Sequence, residues 1–199
     1  MRGQRSLILA LASLLVAATA SRDAWAGSPA DDVRRQTDRI VNVLADPALK
    51  SAGREQERQA AIRRIAEEIF DVGEMTRRTL GQHWRERTDA ERAEFTRLFS
   101  DLLERTYFTR IAAFNGEKIG VRGESIEGDL ATVRTQIVSE QGTQIPVDYR
   151  MLRRGDRWVI YDVVIEGVSL VANYRAQFDK IIRTSSYRVL VDKLRSKRG

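Results

Sequence analysis

The sequence has no cysteine, one histidine and three prolines in 199 residues. Without cysteine there is no disulfide scaffold, thiol nucleophile, thiolate zinc site, iron–sulfur cluster or lipid-modified cysteine. A lone histidine, His83, excludes a metal site built on a histidine pair. No metal and no cofactor are expected. Long apolar runs are also missing. The longest, Leu7 to Ala20, covers about 14 residues, whereas a bilayer-spanning helix needs about 20. Arg2 and Arg5 precede it, and two small-x-small exits follow, Ala18-Thr19-Ala20 and Ala24-Trp25-Ala26. That pattern is the mark of a secretory signal peptide over residues 1–26, cleaved after Ala26. An uncleaved N-terminal anchor is the alternative. The remaining 27–199 is long enough for one domain with a substantial core.

Of 34 basic and 28 acidic residues, the signal segment holds Arg2, Arg5, Arg22 and Asp23, so 31 and 27 remain in the mature chain. The two signs interleave, as in Arg54-Glu55-Gln56-Glu57-Arg58, which describes a solvated helix face better than a nucleic-acid footprint. Nucleic acid is not an expected partner of an exported chain. An anionic lipid or membrane surface suits its mild excess of arginine.

The first half has helical periodicity. Val33, Ile40, Val41 and Leu44 form one stripe, ended by Asp46-Pro47, and Ile62, Ile65, Ala66, Ile69 and Phe70 form a second. A short helix over 72–80 closes at Gly81, a residue suited to a left-handed cap. Thr88-Asp89-Ala90-Glu91 has the capping-box spacing, and the helix it opens carries Phe95, Leu98, Phe99, Leu102, Leu103, Tyr107 and Ile111 on one side. Asn115-Gly116 stops it.

Beyond Gly116 the period becomes two. Four strands are predicted, over 117–127, 130–139, 143–152 and 157–165, separated by Gly128-Asp129, Gln141-Gly142 and Arg154-Gly155-Asp156. In the third, Ile145, Val147, Tyr149 and Met151 share a face, and Pro146 suggests an edge or a bulge. In the fourth, Val159, Tyr161, Val163 and Ile165 share a face, while Trp158, Ile160 and Val164 make the reverse apolar too. Ser169 caps a helix striped by Leu170, Tyr174, Phe178 and Ile181. A last helix carries Tyr187, Leu190, Val191 and Leu194. The expected class is α+β: a helical N-terminal block, a four-stranded antiparallel sheet and C-terminal helices, with an apolar cleft between the sheet and helix layers.

Catalytic signals are sparse. Asp162 and Glu166 flank the end of the fourth strand with Tyr161 beside them, and Asp162 would be the general base of a small α+β enzyme acting on an apolar carbonyl compound. No second acid–base partner accompanies it, and a structural role at the strand end is the simpler reading. His83 reads as a packed or capping histidine. Gly116, Gly120, Gly123 and Gly128 do not make a phosphate loop, since no helix with a Walker lysine follows. The informative feature is the surplus of bulky apolar side chains: Phe95, Phe99, Leu102, Leu103 and Tyr107 on the long helix, Val147, Tyr149, Met151, Tyr161 and Val163 on strands facing it, and Tyr174 and Phe178 on the next helix. A sheet facing a helix layer can open an apolar pocket between them.

The segment Trp158-Val159-Ile160-Tyr161-Asp162-Val163-Val164-Ile165-Glu166-Gly167-Val168-Ser169-Leu170, followed by Asn173-Tyr174-Arg175 and Phe178, resembles the MlaC family, also called the toluene-tolerance auxiliary family. Phe70-Asp71-Val72, Leu80-Gly81-Gln82-His83-Trp84 and Glu91-Arg92-Ala93-Glu94-Phe95 resemble its helical block. The likeness runs over about residues 33–195. It implies a monomeric periplasmic carrier, not an enzyme, that holds the acyl chains of a phospholipid between sheet and helices. The partners implied are an inner-membrane ABC transporter with an MCE-domain subunit and an outer-membrane lipid-transfer complex. One branch of the family is associated with hopanoids, so a hopanoid is the alternative ligand. With the lining named above, Phe70, Met75, Leu80, Trp84 and Val168 complete the expected lipid-binding set, and Arg85 and Arg87 are expected at the headgroup or membrane.

Overall fold

The computed structural model describes residues 27–51, 53–112 and 116–196; the expected signal peptide and the stop at Asn115 lie outside the described residues. In chain order the elements are α1 (Pro29–Ala45), α2 (Pro47–Lys50), α3 (Glu55–Ile69), α4 (Val72–Leu80), a 3₁₀ turn (Gly81–Trp84), α5 (Asp89–Ala112), β1 (Lys118–Glu127), β2 (Leu130–Val138), β3 (Gln144–Arg154), β4 (Arg157–Ile165), β5 (Val168–Ser169), α6 (Leu170–Thr184) and α7 (Tyr187–Ser196). Local chemistry sets their ends. Ser28 Oγ accepts from the Ala30 amide at 3.2 Å, and the Glu124 carboxylate of β1 accepts from the same amide at 2.8 Å. The start of α1 is thereby tied to the sheet. Thr88 and Glu91 exchange the two bonds of the capping box, at 3.2 and 2.8 Å, and open α5. Gly81, at φ +56°, ends α4 where a β-carbon would be strained and would press on the Arg175 side chain at 3.3 Å.

The sheet is an antiparallel meander in the order β1-β2-β3-β4-β5. It has five strands, where the periodicity predicts four. Glu166 and Gly167 both take positive φ, 49° and 80°, and turn the chain tightly enough for Val168 and Ser169 to pair with Ile165 and Val164. A two-residue pairing leaves no period to detect.

A second difference concerns which way β4 faces. The register steps from Met151↔Ile160 to Arg150↔Asp162, so Tyr161 is an extra residue in β4. The bulge breaks the alternation. Trp158, Ile160, Val163 and Ile165 meet one apolar cluster, whereas Tyr161 lies under the Arg78 guanidinium, 4.0 Å from its ring centroid. The expected common face of Val159, Tyr161, Val163 and Ile165 is therefore split. Pro146 lies on an inner strand. Its carbonyl accepts from the Glu166 amide at 3.0 Å, so the N–H it lacks would face the turn beyond β4.

The core has two parts. One joins Ala30 and Val33 of α1 and Ile69 of α3 to the sheet residues Ala131, Val133, Val147, Met151, Trp158, Ile160 and Val163. The other is helical: Met75 and Leu80 of α4, Phe95, Leu98, Phe99 and Leu102 of α5, Val171, Tyr174 and Phe178 of α6, and Leu190, Val191 and Leu194 of α7. Long helix α5 thus packs in the helical cluster, and α1 and α3 cover the sheet, which corrects the expected pairing of strands with α5. Alternation shows which face is apolar, not which helix lies on it. Phe70 packs against both clusters.

Candidate functional site

Burial along the apolar face is graded across β2, β3 and β4. At the α1 end Ala131, Met151 and Ile160 are buried, with Met151 at 0% exposure, while Ile126 beside them on β1 is 51% exposed. Two rows further on, Thr135 and Val147 are buried, but their neighbours Val121 and Ile165 are only half-buried. In the last row, Ile119, Ile137 and Ile145 are all half-buried. Alternating apolar residues thus continue past the point where α1 and α3 stop covering them.

Tyr149, paired with Val133 and Val163, is half-buried in the row between. Its phenol is buried deeply enough to push its pKa up, with a hydrogen bond to Thr135 opposing that rise, yet its side chain keeps an accessible face. Thr135 in turn donates to the Val147 carbonyl at 2.7 Å, so the polar groups at the floor are satisfied. Leu170 and Phe70 close the sides from the helical layer. The arrangement offers apolar contact with few polar groups, which suits a hydrocarbon ligand.

A second concavity of about 660 Å³ lies among α5, α6 and α7, within the roughly 300–1,000 Å³ of small-molecule sites. Leu102, Tyr174, Phe178, Ile181, Leu190 and Leu194 supply its apolar lining, and Lys193 is the one charged residue at it among the described residues. A third, of about 350 Å³, is lined by Asp32, Arg35, Glu68, Asp156 and Arg157 and is polar.

The expected lipid-binding residues do not form one wall. Phe95 and Phe99 are 0% exposed and knit the helical core, with ring centroids 5.6 and 5.9 Å from Phe178. Met75, Leu80, Leu102, Tyr174 and Phe178 belong to the same core, with Trp84, Leu103 and Tyr107 half-buried at its edge. Val147, Tyr149, Met151 and Val163 belong to the sheet cluster. Tyr161 sits under Arg78, and Val168 is 56% exposed. Not anticipated were Val121, Ile137, Ile145, Ile165 and Leu170 at the partly covered face of the sheet. Their alternation was legible; their incomplete cover was not.

Arg85 is exposed. Arg87 is engaged instead, stacked 4.5 Å above the Tyr187 ring and paired with Glu86 at 3.1 Å. Burial, with Glu91 nearby, pushes the Tyr187 phenol up to about 12. His83 Nε2 lies 2.9 Å from Asp179 Oδ1 and joins the 3₁₀ turn to α6. Asp162 is 2% exposed and accepts from Ser169 Oγ at 2.6 Å, the Val171 amide at 3.0 Å and Arg150 at 3.2 Å. It anchors the start of α6 to the sheet, and its geometry is that of a cap. Among the described residues, no grouping of three or more His, Asp or Glu could hold a metal ion, and no helix is long and apolar enough to cross a membrane.

An antiparallel sheet whose apolar face is partly covered by helices defines an α+β protein. The sequence profile of the MlaC protein matches residues 34–196, and the chain belongs to the MlaC family. It is 24% identical over 122 residues to the intermembrane phospholipid transport system binding protein MlaC of Haemophilus influenzae, an alignment covering 59% of this chain. The chain spans only 57% of that relative's length. Its fold is shared with the phospholipid-binding protein from Ralstonia solanacearum, solved in complex with a phospholipid: TM-score 0.75, 23% identity, 84% of this chain and 94% of that one.

Proposed function

We propose that this chain is a periplasmic phospholipid carrier. It holds acyl chains in a hollow around Tyr149, leaves the headgroup outside, and shuttles the lipid between an outer-membrane complex and an inner-membrane ABC transporter with an MCE-domain subunit. Export follows from cleavage of residues 1–26. The observation that carries this reading is the half-covered apolar face, where Val121, Ile137, Ile145, Tyr149 and Ile165 remain accessible beside rows of β2, β3 and β4 that α1 and α3 bury. Membership of the MlaC family supports it, as do the phospholipid held by the Ralstonia protein and the phospholipid-transport name of the Haemophilus relative.

The energetics fit a carrier. Each methylene withdrawn from water contributes about 0.8 kcal/mol, so a 16-carbon chain gains on the order of 12 kcal/mol. Spontaneous escape into water is then slow, and release requires a receiving membrane or protein. The test is uptake. Lipid-stripped protein is incubated with vesicles carrying a fluorescent phospholipid, separated from them, and its lipid counted. Near one phospholipid per chain is expected. No uptake refutes the reading, and preferential uptake of a hopanoid from mixed vesicles would change the ligand while keeping the carrier.

A further inference from the structure

The face of the molecule formed by α4, β3 and the bulge of β4 carries a linked set of charges. Arg77 and Arg78 bind Glu74 at 2.6 and 2.7 Å, and Arg154 binds Asp71 at 3.0 Å and approaches Glu74 at 4.0 Å. Arg78 stacks on Tyr161, whose neighbour Asp162 binds Arg150 at 3.2 Å. The two signs are not equally placed. The four arginine side chains are 33% to 55% exposed, while those of Glu74, Asp162 and Asp71 are 9%, 3% and 21% exposed. Arg175 lies alongside, its stem over Gly81, and takes no ion-pair partner among the described residues. Arg134, opposite Asp148 in the register, adds one charge of each sign at the margin.

Burying the carboxylates orients the guanidiniums and leaves their remaining N–H groups facing outward. Arg77 uses Nε and one terminal nitrogen on Glu74, and Arg150 uses one terminal nitrogen on Asp162, out of five donors each. Planar donors of this kind match phosphate oxygens. We infer that this arginine face docks the protein on the phosphates of an anionic bilayer. The choice of a bilayer over an acidic protein rests on the carrier reading, because both complexes it serves lie in membranes whose lipid phosphates surround the point of transfer. The surface is distinct from the apolar hollow, so docking and lipid binding are separable.

The test is co-flotation of the full mature protein with vesicles of equal parts phosphatidylethanolamine and phosphatidylglycerol, against vesicles of phosphatidylethanolamine and phosphatidylcholine. Binding is expected on the anionic vesicles and is expected to weaken with salt. The double variant Arg77→Gln/Arg175→Gln leaves Glu74 with Arg78 and Arg154. At about fivefold per cation near an anionic surface, it should bind roughly 25-fold more weakly. Arg97→Gln/Arg188→Gln removes the same charge from exposed positions on α5 and α7 and should bind as the parent does. Equal losses in both variants, or no preference for anionic vesicles, overturn the inference, the latter leaving an acidic protein as the partner. Lipid per chain, read by native mass spectrometry, should be unchanged in both. Lipid-loaded protein that ignores anionic vesicles refutes the docking face alone; protein that docks but never carries lipid refutes the carrier alone.

Discussion

Replacing Asp162 with alanine should destabilise the protein severely without any chemistry being involved. The side chain is buried, and its oxygens receive the Ser169 hydroxyl at 2.6 Å, the Val171 amide at 3.0 Å and Arg150 at 3.2 Å. Alanine would leave a buried backbone N–H without an acceptor and would unpair Arg150. Arg150 is 46% exposed and rehydrates, so the cost comes from the donors left unsatisfied at Val171 and Ser169, about 2–4 kcal/mol. In a domain of this size each 1 kcal/mol lowers Tm by about 2–4 °C, so a fall of about 4–16 °C is expected by far-UV circular dichroism. Asparagine keeps one acceptor for the Val171 amide and should lose roughly half as much. If Asp162 were instead a general base, Asp162→Asn would abolish a turnover and leave Tm nearly unchanged. A cost below about 1 kcal/mol for Asp162→Ala would refute the capping role.

Phe99→Ala should cost about 3–5 kcal/mol in denaturant unfolding, because Phe99 is sealed among Phe95, Tyr174 and Phe178 and the cavity would not refill. Ile137→Trp, at the open end of the sheet, should reduce lipid per chain, measured by organic extraction and mass spectrometry, while changing Tm little. Hydrogen bonds from Arg77 and Arg78 hold the Glu74 carboxyl below its ordinary value, so its contribution is complete above the unfolded value near about 4.3 and is lost as pH falls through the depressed one. Glu74→Gln should therefore lower stability by about 1.5–3 kcal/mol at neutral pH, with the difference vanishing in acid, in urea titrations across pH.

Much of the fold was legible because its boundaries are chemical. Thr88 and Glu91 announce α5, Gly81 ends α4, Ser169 begins α6, and turns at Gly128, Gly142 and Gly155 divide the strands. What stayed hidden depends on tertiary placement. The extra residue at Tyr161 turns β4 over halfway along, and no local propensity marks it. The pairing of layers was hidden too: α5 and the sheet each carry an apolar stripe, and complementarity alone suggested that they meet. In the fold, α1 and α3 cover the sheet while α5 closes on α4, α6 and α7. Tyr149 and Val147 lie on the sheet's apolar face, whereas Phe95 and Phe99 are sealed in the helical core, since hydrophobicity does not separate a lining residue from a filled one.

The most direct measurement is native mass spectrometry of the mature protein taken intact from a periplasmic extract, with extraction and identification of whatever it releases. The account predicts a mass above that of the polypeptide by one phospholipid, lost on solvent extraction and regained from vesicles. A bare polypeptide that also fails to take lipid from vesicles would contradict it, and the open apolar rows of the sheet would then have no ligand to explain them.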